Sequence, residues 1–232
     1  MDRKKTVSKK SISAGDGDLA AETSKAPLPI ILPPPKFGRC KSVVEALQKR
    51  QTVRELSDKK LSLQVLSNIL WAANGINRKK GPFGIPGRTA GSASNSQEID
   101  IYMALPAGVF LFDAVLHRLV PIVSGDHRAI AIGPGQGEWG ANAPIRFIYV
   151  VDIDKYKSAG FPEPGLEDPE IQKSYYFVDT GLIAENVYLF AASHGLATWF
   201  HNCDKKAART KLKLRPNQRA LFGQTIGYSE KE

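Results

Sequence analysis

The sequence predicts an α+β fold. Three observations carry this. Apolar patterns of helical and strand period are interleaved along the chain. Three successive strand-like runs follow one another at hairpin spacing, which makes them antiparallel neighbours. Strands do not alternate with helices one for one, so a doubly wound parallel sheet does not fit.

The elements follow in order. Residues 1–40 are Lys/Ser/Gly/Asp-rich and then proline-rich, with no apolar periodicity, and read as a disordered or extended segment. Pro33, Pro34 and Pro35 favour polyproline II, laid along the body or along a partner subunit. Order is expected from Ser42. "SVVE" is a capping box, Ser42 to Glu45, and Val43, Val44 and Leu47 mark one face of a short helix. A second helix is predicted over 62–73, with Leu63, Leu66, Ile69, Leu70 and Ala73 on one face. Leu61 and Leu66 are placed as a hydrophobic staple, and Gly75 is the expected residue past the end.

"IDIYMAL", "GVFLFD" and "RLVPIVSG" are the hairpin strands. "IRFIYVVD", residues 145–152, is nearly all apolar and reads as a central strand. Residues 158–170 form a Pro/Gly/acidic loop. A helix is predicted over 180–194, stopped by Gly195. Its apolar residues cover more than one stripe, which marks a helix buried in a core or between subunits. "RALFGQTIGY" gives the last strand.

Composition narrows the function. The chain has 232 residues, 42% hydrophobic, enough for one domain with a sizeable core. No uninterrupted 18-residue apolar window exists, which argues against a membrane span. Net charge is +9; the first 40 residues, with eight Lys/Arg and four Asp/Glu, carry +4 of it. A mildly basic body suits phosphate-bearing small molecules. No basic stripe interleaved with aromatics, zinc-finger spacing or RNA-recognition motif is present, so nucleic acid is not expected. The cysteines, Cys40 and Cys203, make no disulfide framework, and a reduced, cytoplasmic protein is the expectation. "PLPIILPPP" holds five prolines and cannot be the helical core of a secretory signal.

Two nucleotide motifs fail. "GQGEWG", residues 135–140, matches G-x-G-x-x-G, but Pro144 and a strand follow where a helix N-terminus is needed. "GRT" at Gly87 lacks the lysine of a P-loop. The four histidines and two cysteines show no metal-ligand spacing, so no metal site is expected. "DID", Asp152 to Asp154, reads as a turn.

Two stretches remain. "KRQTVREL" brackets Gln51 and Thr52 with Arg50 and Arg54 at a helix-to-coil junction, the donor set of a phosphate clasp; a solvated charge run is the other reading. "GRTAGSASNSQEIDIYMAL" presses short residues against the start of a strand, as a solvated spacer or as a surface for a flat polar ligand.

Five motifs in order, "RQTVREL", "LSNILWAANG", "RTAGSASNSQEIDIYMA", "DTGLIAENVYLFAASHGLAT" and "FGQTIGY", resemble the FMN-dependent nitroreductase family. The likeness runs from about residue 43 to the end, and its middle part is most similar to the branch that includes azoline dehydrogenases. It implies a mixed, mostly antiparallel central sheet flanked by helices, one FMN-binding domain over 41–232, and an interlocked homodimer sharing two FMN sites. Arg50, Gln51, Thr52 and Arg54 would hold phosphate, ribityl chain and pyrimidine edge. Gly91, Ser92, Asn95 and Gln97 would reach the flavin of the other subunit, and Phe200, His201 and Asn202 would lie near flavin N5. Gly91 stands where proline is usual, and His201 and Asn202 stand where many members have Glu-Gly. Lys231 takes the place of further basic residues near the C-terminus.

The implied activity is hydride transfer from NAD(P)H through FMN to an electron-poor small-molecule acceptor, a nitroaromatic or quinone, in a ping-pong cycle, with no side-chain acid required. His201 is placed as an acceptor-pocket residue, against a histidine satisfied by backbone. An azoline-type dehydrogenase, or an FMN carrier or sensor without turnover, are the alternatives.

Overall fold

The computed structural model describes residues 27–38, 41–136, 139–159, 161 and 164–231. Cys40, most of the basic tail and two residues of the "GQGEWG" loop lie outside the described residues.

Seven strands form one sheet: β1 (Ile30–Ile31), β4 (Ile99–Leu105), β5 (Gly108–Asp113), β6 (Arg118–Ser124), β7 (Ile145–Asp152), β8 (Ala197–Asn202) and β9 (Gln218–Gly227). Their spatial order is β1-β6-β5-β4-β7-β9-β8. Every pairing in it is antiparallel. The short β2 (Ile76–Arg78) and β3 (Gly87–Arg88) pair separately. The hairpins explain the order. Pro106 and Ala107 turn β4 into β5, with Leu105 opposite Gly108. Asp113 Oδ1 accepts the amides of Val115 and Leu116 and turns β5 into β6.

β7 is central, and all its residues are buried. Its alternation splits the core. Ile145, Phe147, Tyr149 and Val151 face α2 (Leu63–Asn74) and α3 (Pro169–His194). Ile148 and Val150 face the 3-10 turn Arg128–Ala131 and α4 (Lys205–Lys211). Two-sided burial is why the strand reads as a continuous apolar run.

The helices have local causes. Ser42 and Glu45 form the full capping box of α1 (Val43–Lys49). Ser62 caps α2, and Leu66, Ile69, Leu70 and Ala73 are buried. Gly75 caps α2 with extended backbone (φ −77°), not the left-handed turn expected there; a Cβ would meet Trp71.

Three elements depart from expectation. α3 starts at Pro169, well before residue 180: Asp168 accepts the Glu170 amide, and Pro169 suits the first turn. Its first turns are polar enough to hide the apolar period. α4 was not foreseen; Asp204 caps it through the Ala207 amide. The chain is also built in before Ser42. β1 pairs with β6, Leu32 is buried, and α2 holds the prolines. Ser67 Oγ donates to Pro33 O (2.5 Å) and Gln64 Nε2 to Pro34 O (3.0 Å).

The apolar face of α1 is not spent inside the chain. Val43, Val44 and Leu47 are exposed, and only Ala46 is buried. On α3, Phe177, Val178 and Leu182 are likewise exposed opposite the buried Ile183, Val187 and Ala191.

Candidate functional site

α1 ends at Arg50, whose amide closes on Ala46 O (2.8 Å). The chain then runs beside the outer edge of β8. Val53 N donates to Thr198 O (3.0 Å), and Leu56 pairs with Ser229. The segment therefore covers a strand edge that would otherwise be bare. Thr52 Oγ1 lies 3.1 Å from Tyr188 Oη on α3, and that phenol accepts the Phe200 amide (2.9 Å). The Arg50 guanidinium lies over the Tyr188 ring, 5.4 Å from its centroid.

A cavity of about 540 Å³ opens here. Arg50, Gln51, Lys41, Lys49 and Lys231 reach it, and among the described residues no carboxylate lines it. Lys41 and Lys49 crowd each other: the Lys49 ammonium lowers the pKa of Lys41. Such a set of donors, with the Thr52 hydroxyl nearby, fits a phosphate and its sugar chain. Lys231 is paired with Glu55 (2.5 Å), which lines the neighbouring cavity. Lys41, Lys49, Ser229 and Tyr188 were not foreseen as lining residues. Their signal was weak: two lysines in a basic stretch, and one aromatic on a long helix.

Arg54 turns to the other side. Its guanidinium lies 5.2 Å from the Trp139 ring and 5.7 Å from that of Trp199, and the two indoles meet edge to face. With Thr52 and Lys231, Arg54 and Trp139 line a second, smaller cavity.

The loop 91–97 is stiff. Ser94, Asn95 and Gln97 have φ of 51°, 55° and 52°, left-handed values rare outside glycine. It is tied down from several sides. Gln97 donates to Pro86 O (2.7 Å) and Asn95 Oδ1 (3.0 Å) and accepts from Arg88 Nε (2.6 Å). Ser92 Oγ accepts the Gln97 amide, and Asp179 accepts the Ala93 amide (3.0 Å). The side chain of Gln97 is thus engaged within the loop. Asn95 keeps one buried donor, Nδ2, with no partner among the described residues. A Cβ on the exposed Gly91 would meet nothing within 4 Å, so the chain's own packing does not require glycine there.

Beneath this loop lies an acidic pair. Glu98 is fully buried and accepts from Ser96 Oγ (2.6 Å). Burial, and then Glu98 beside it, push Asp179 up to about 8.

Within one chain the clasp and the loop are not brought together. The loop is fastened at Asp179 and the clasp at Tyr188, about 13 Å apart along α3 at the rise of a helix.

Phe200, His201 and Asn202 lie side by side on β8, with side chains alternating. Phe200 packs with Tyr149 and Phe222 in the core, and Asn202 is exposed at the strand end. The His201 side chain does not line an open acceptor pocket. It is buried, with Nδ1 2.8 Å from Asn202 O and Nε2 2.8 Å from Thr225 Oγ1, and burial pushes its pKa down to about 4. The cause is register: position 201 points into the sheet face covered by the turn at 128–131. Of the other histidines, His117 lies 2.7 Å from Ser67 Oγ, and His127 and His194 lie within hydrogen-bond distance of the Ser124 and Phe190 carbonyls. "DID" is a turn, with Asp152 paired to Arg215.

The antiparallel sheet, the clasp on its edge and the pinned loop define an α+β protein of the nitroreductase type. The chain belongs to the nitroreductase family: the family's model matches residues 47–228. It is 28% identical over 165 residues to MJ1384 of Methanocaldococcus jannaschii, whose name assigns it to the nitroreductases, covering 66% of this chain and 75% of that one. A Ralstonia eutropha JMP134 crystal structure, also named for nitroreductase, is 29% identical, with a TM-score of 0.78 over 90% of this chain and 93% of the other. The Escherichia coli microcin synthetase McbBCD complex shares the fold at 14% identity, with a TM-score of 0.63 over 87% of this chain and 78% of that one. Among the described residues no helix is long and apolar enough to cross a membrane.

Proposed function

We propose that the protein is an FMN-dependent oxidoreductase that takes reducing equivalents from NAD(P)H and delivers them to an electron-poor acceptor, a quinone or nitroaromatic. The observation that carries this is the cation-lined, carboxylate-free cavity at Arg50, Gln51, Lys41, Lys49 and Lys231, in a chain of this family. Bound FMN supplies the two-electron chemistry. The chain supplies position and charge. Arg50 and the lysines hold the phosphate by charge-assisted hydrogen bonds. Thr52, fixed by Tyr188, meets the ribityl chain. Arg54, braced by two indoles, places a fixed positive charge at the pyrimidine edge, where negative charge gathers on reduction. The β8 edge at Phe200–Asn202 would lie beside the ring.

The loop 91–97 serves a second chain in this proposal. Gly91 is the exposed point of this loop, the buried Asn95 Nδ2 lies behind it without a partner among the described residues, and the loop is fastened about 13 Å along α3 from its own clasp. The exposed apolar faces of α1 and α3 provide the dimer surface.

The purified protein tests this. It should show flavin absorption and oxidise NADPH or NADH steadily when menadione is added. Flavin without turnover would make it a carrier, and failure to take up FMN would remove the proposal.

A further inference from the structure

On the sheet face opposite α3, a cavity of about 550 Å³ is lined by Asp126, Arg128, Ala129, Ile132, Trp139, Ala141 and Arg146. Its volume suits a small molecule of one or two rings. Its floor is Arg146, on β7 between Ala104 and Thr225 of the neighbouring strands. Arg146 is only 5% exposed. Nη2 donates to Gly140 O (2.7 Å) and Ala141 O (3.3 Å), but Nε is buried with no partner among the described residues. A buried guanidinium without a carboxylate in direct contact is costly, and Asp126 offsets that cost only from a distance. Burial, and then the like charge of Arg128, lower its pKa to about 10.

The charges around it are uneven. Arg128 is already neutralised by Asp126, which accepts from Nε (3.0 and 3.1 Å) and Nη2 (2.7 Å). Asp126 is thereby spoken for, and His201, the other titratable group near Arg146, stays neutral. Among the described residues that line the cavity, one positive charge is left over. The wall supplies an aromatic surface, since Trp139 is 56% exposed. Trp139 also lines the cavity that holds Thr52 and Arg54, so the two spaces share a wall.

We propose that this cavity binds an aromatic carboxylate, with the carboxylate on Arg146 and the ring against Trp139. One uncompensated cation matches a monoanion better than a phosphate dianion. A carboxylate accepts from the part of the guanidinium that lines the cavity. The cavity next to the clasp would then select acceptors that carry an acid group. Only this last step, calling the occupant an acceptor, rests on the flavin reading.

The test titrates the full-length protein, saturated with FMN, with 4-nitrobenzoate and with its neutral analogue 4-nitrotoluene, following quenching of tryptophan fluorescence. The carboxylate should bind at least about tenfold more tightly in the wild type. Arg146→Met should abolish that preference and leave 4-nitrotoluene unchanged. If Arg146→Met does not fold, Arg128→Met is used; it leaves Asp126 free to compete for Arg146 and should also reduce the preference. Equal affinities in the wild type, or an undiminished preference in a folded variant, overturn the proposal. If the protein takes up no FMN, the same titration on flavin-free protein still decides the carboxylate site, while the flavin reading fails separately.

Discussion

Tyr188 Oη sits 2.9 Å from the backbone nitrogen of Phe200 and accepts its N–H. Because the same oxygen lies 3.1 Å from Thr52 Oγ1, one phenol on α3 ties the clasp to the edge of β8. Tyr188→Phe leaves that amide without its partner. A loss of about 1–3 kcal/mol is expected, with Tm falling about 2–4 °C per kcal/mol. FMN affinity should fall with it, because Thr52 loses its anchor. Thermal melts and a flavin fluorescence titration check both; an unchanged Tm and Kd would detach Tyr188 from the site.

Arg50→Ala should weaken FMN binding by about 1.5–3 kcal/mol, the range for hydrogen bonds to charged groups. Binding should also weaken with added salt, because Lys41, Lys49 and Lys231 act from exposed positions. Isothermal titration at two ionic strengths measures both effects. A salt-independent Kd that ignores Arg50 would place the phosphate elsewhere.

Stability should fall as pH rises from about 4 to about 8. Burial and Glu98 raise Asp179 from an ordinary 3.8 to about 8, so the folded chain keeps a proton that the unfolded chain has released. The contribution is complete below about 4 and gone above about 8. Tyr156 is a further titratable group facing the pair. Asp179→Asn keeps an acceptor for the Ala93 amide and should flatten this slope. Melting temperatures between pH 5 and pH 9 test it; a slope identical to wild type would mean that Asp179 does not hold the extra proton.

His201 has the opposite sign. Its folded pKa of about 4 lies below the ordinary 6.5, so its contribution is present above 6.5 and is lost as pH falls through 4. His201→Asn should soften acid unfolding in that window. Its neutral, buried ring is no proton donor near neutrality. Reduction of bound flavin by NAD(P)H should therefore stay within about tenfold of wild type in stopped flow, under about 1.4 kcal/mol of barrier. A thousandfold collapse with FMN retained would make it a catalytic group.

The parts legible in the sequence are those whose signal is local. The capping box at Ser42, the apolar run of β7 and the hairpins at Pro106 and Asp113 are each set by a few adjacent residues. The proximity of Arg50 and Thr52 was legible because both lie at one helix-to-coil junction. What stayed hidden depends on distant partners. Tyr188 gained its role from Thr52 and Phe200, far away in the chain, and α3 began under a polar first turn. His201 shows the limit most plainly: its position beside β9 decides which way the ring points, and that register is not written in its neighbours. The face of Val43, Val44 and Leu47 was found correctly as a face, while its lack of a partner within the chain appears only in three dimensions.

The most direct test of a flavin site built from two chains is complementation. Arg50→Ala damages the clasp and Asn95→Leu damages the loop, so each variant alone should bind FMN poorly in both sites of its dimer. A purified heterodimer of the two places both lesions in one site and leaves the other intact. It should hold one FMN per dimer of two 25.4 kDa chains, with wild-type affinity, and about half the NAD(P)H turnover. A heterodimer in which no site regains wild-type affinity, or a monomer that binds FMN fully, would contradict the shared site.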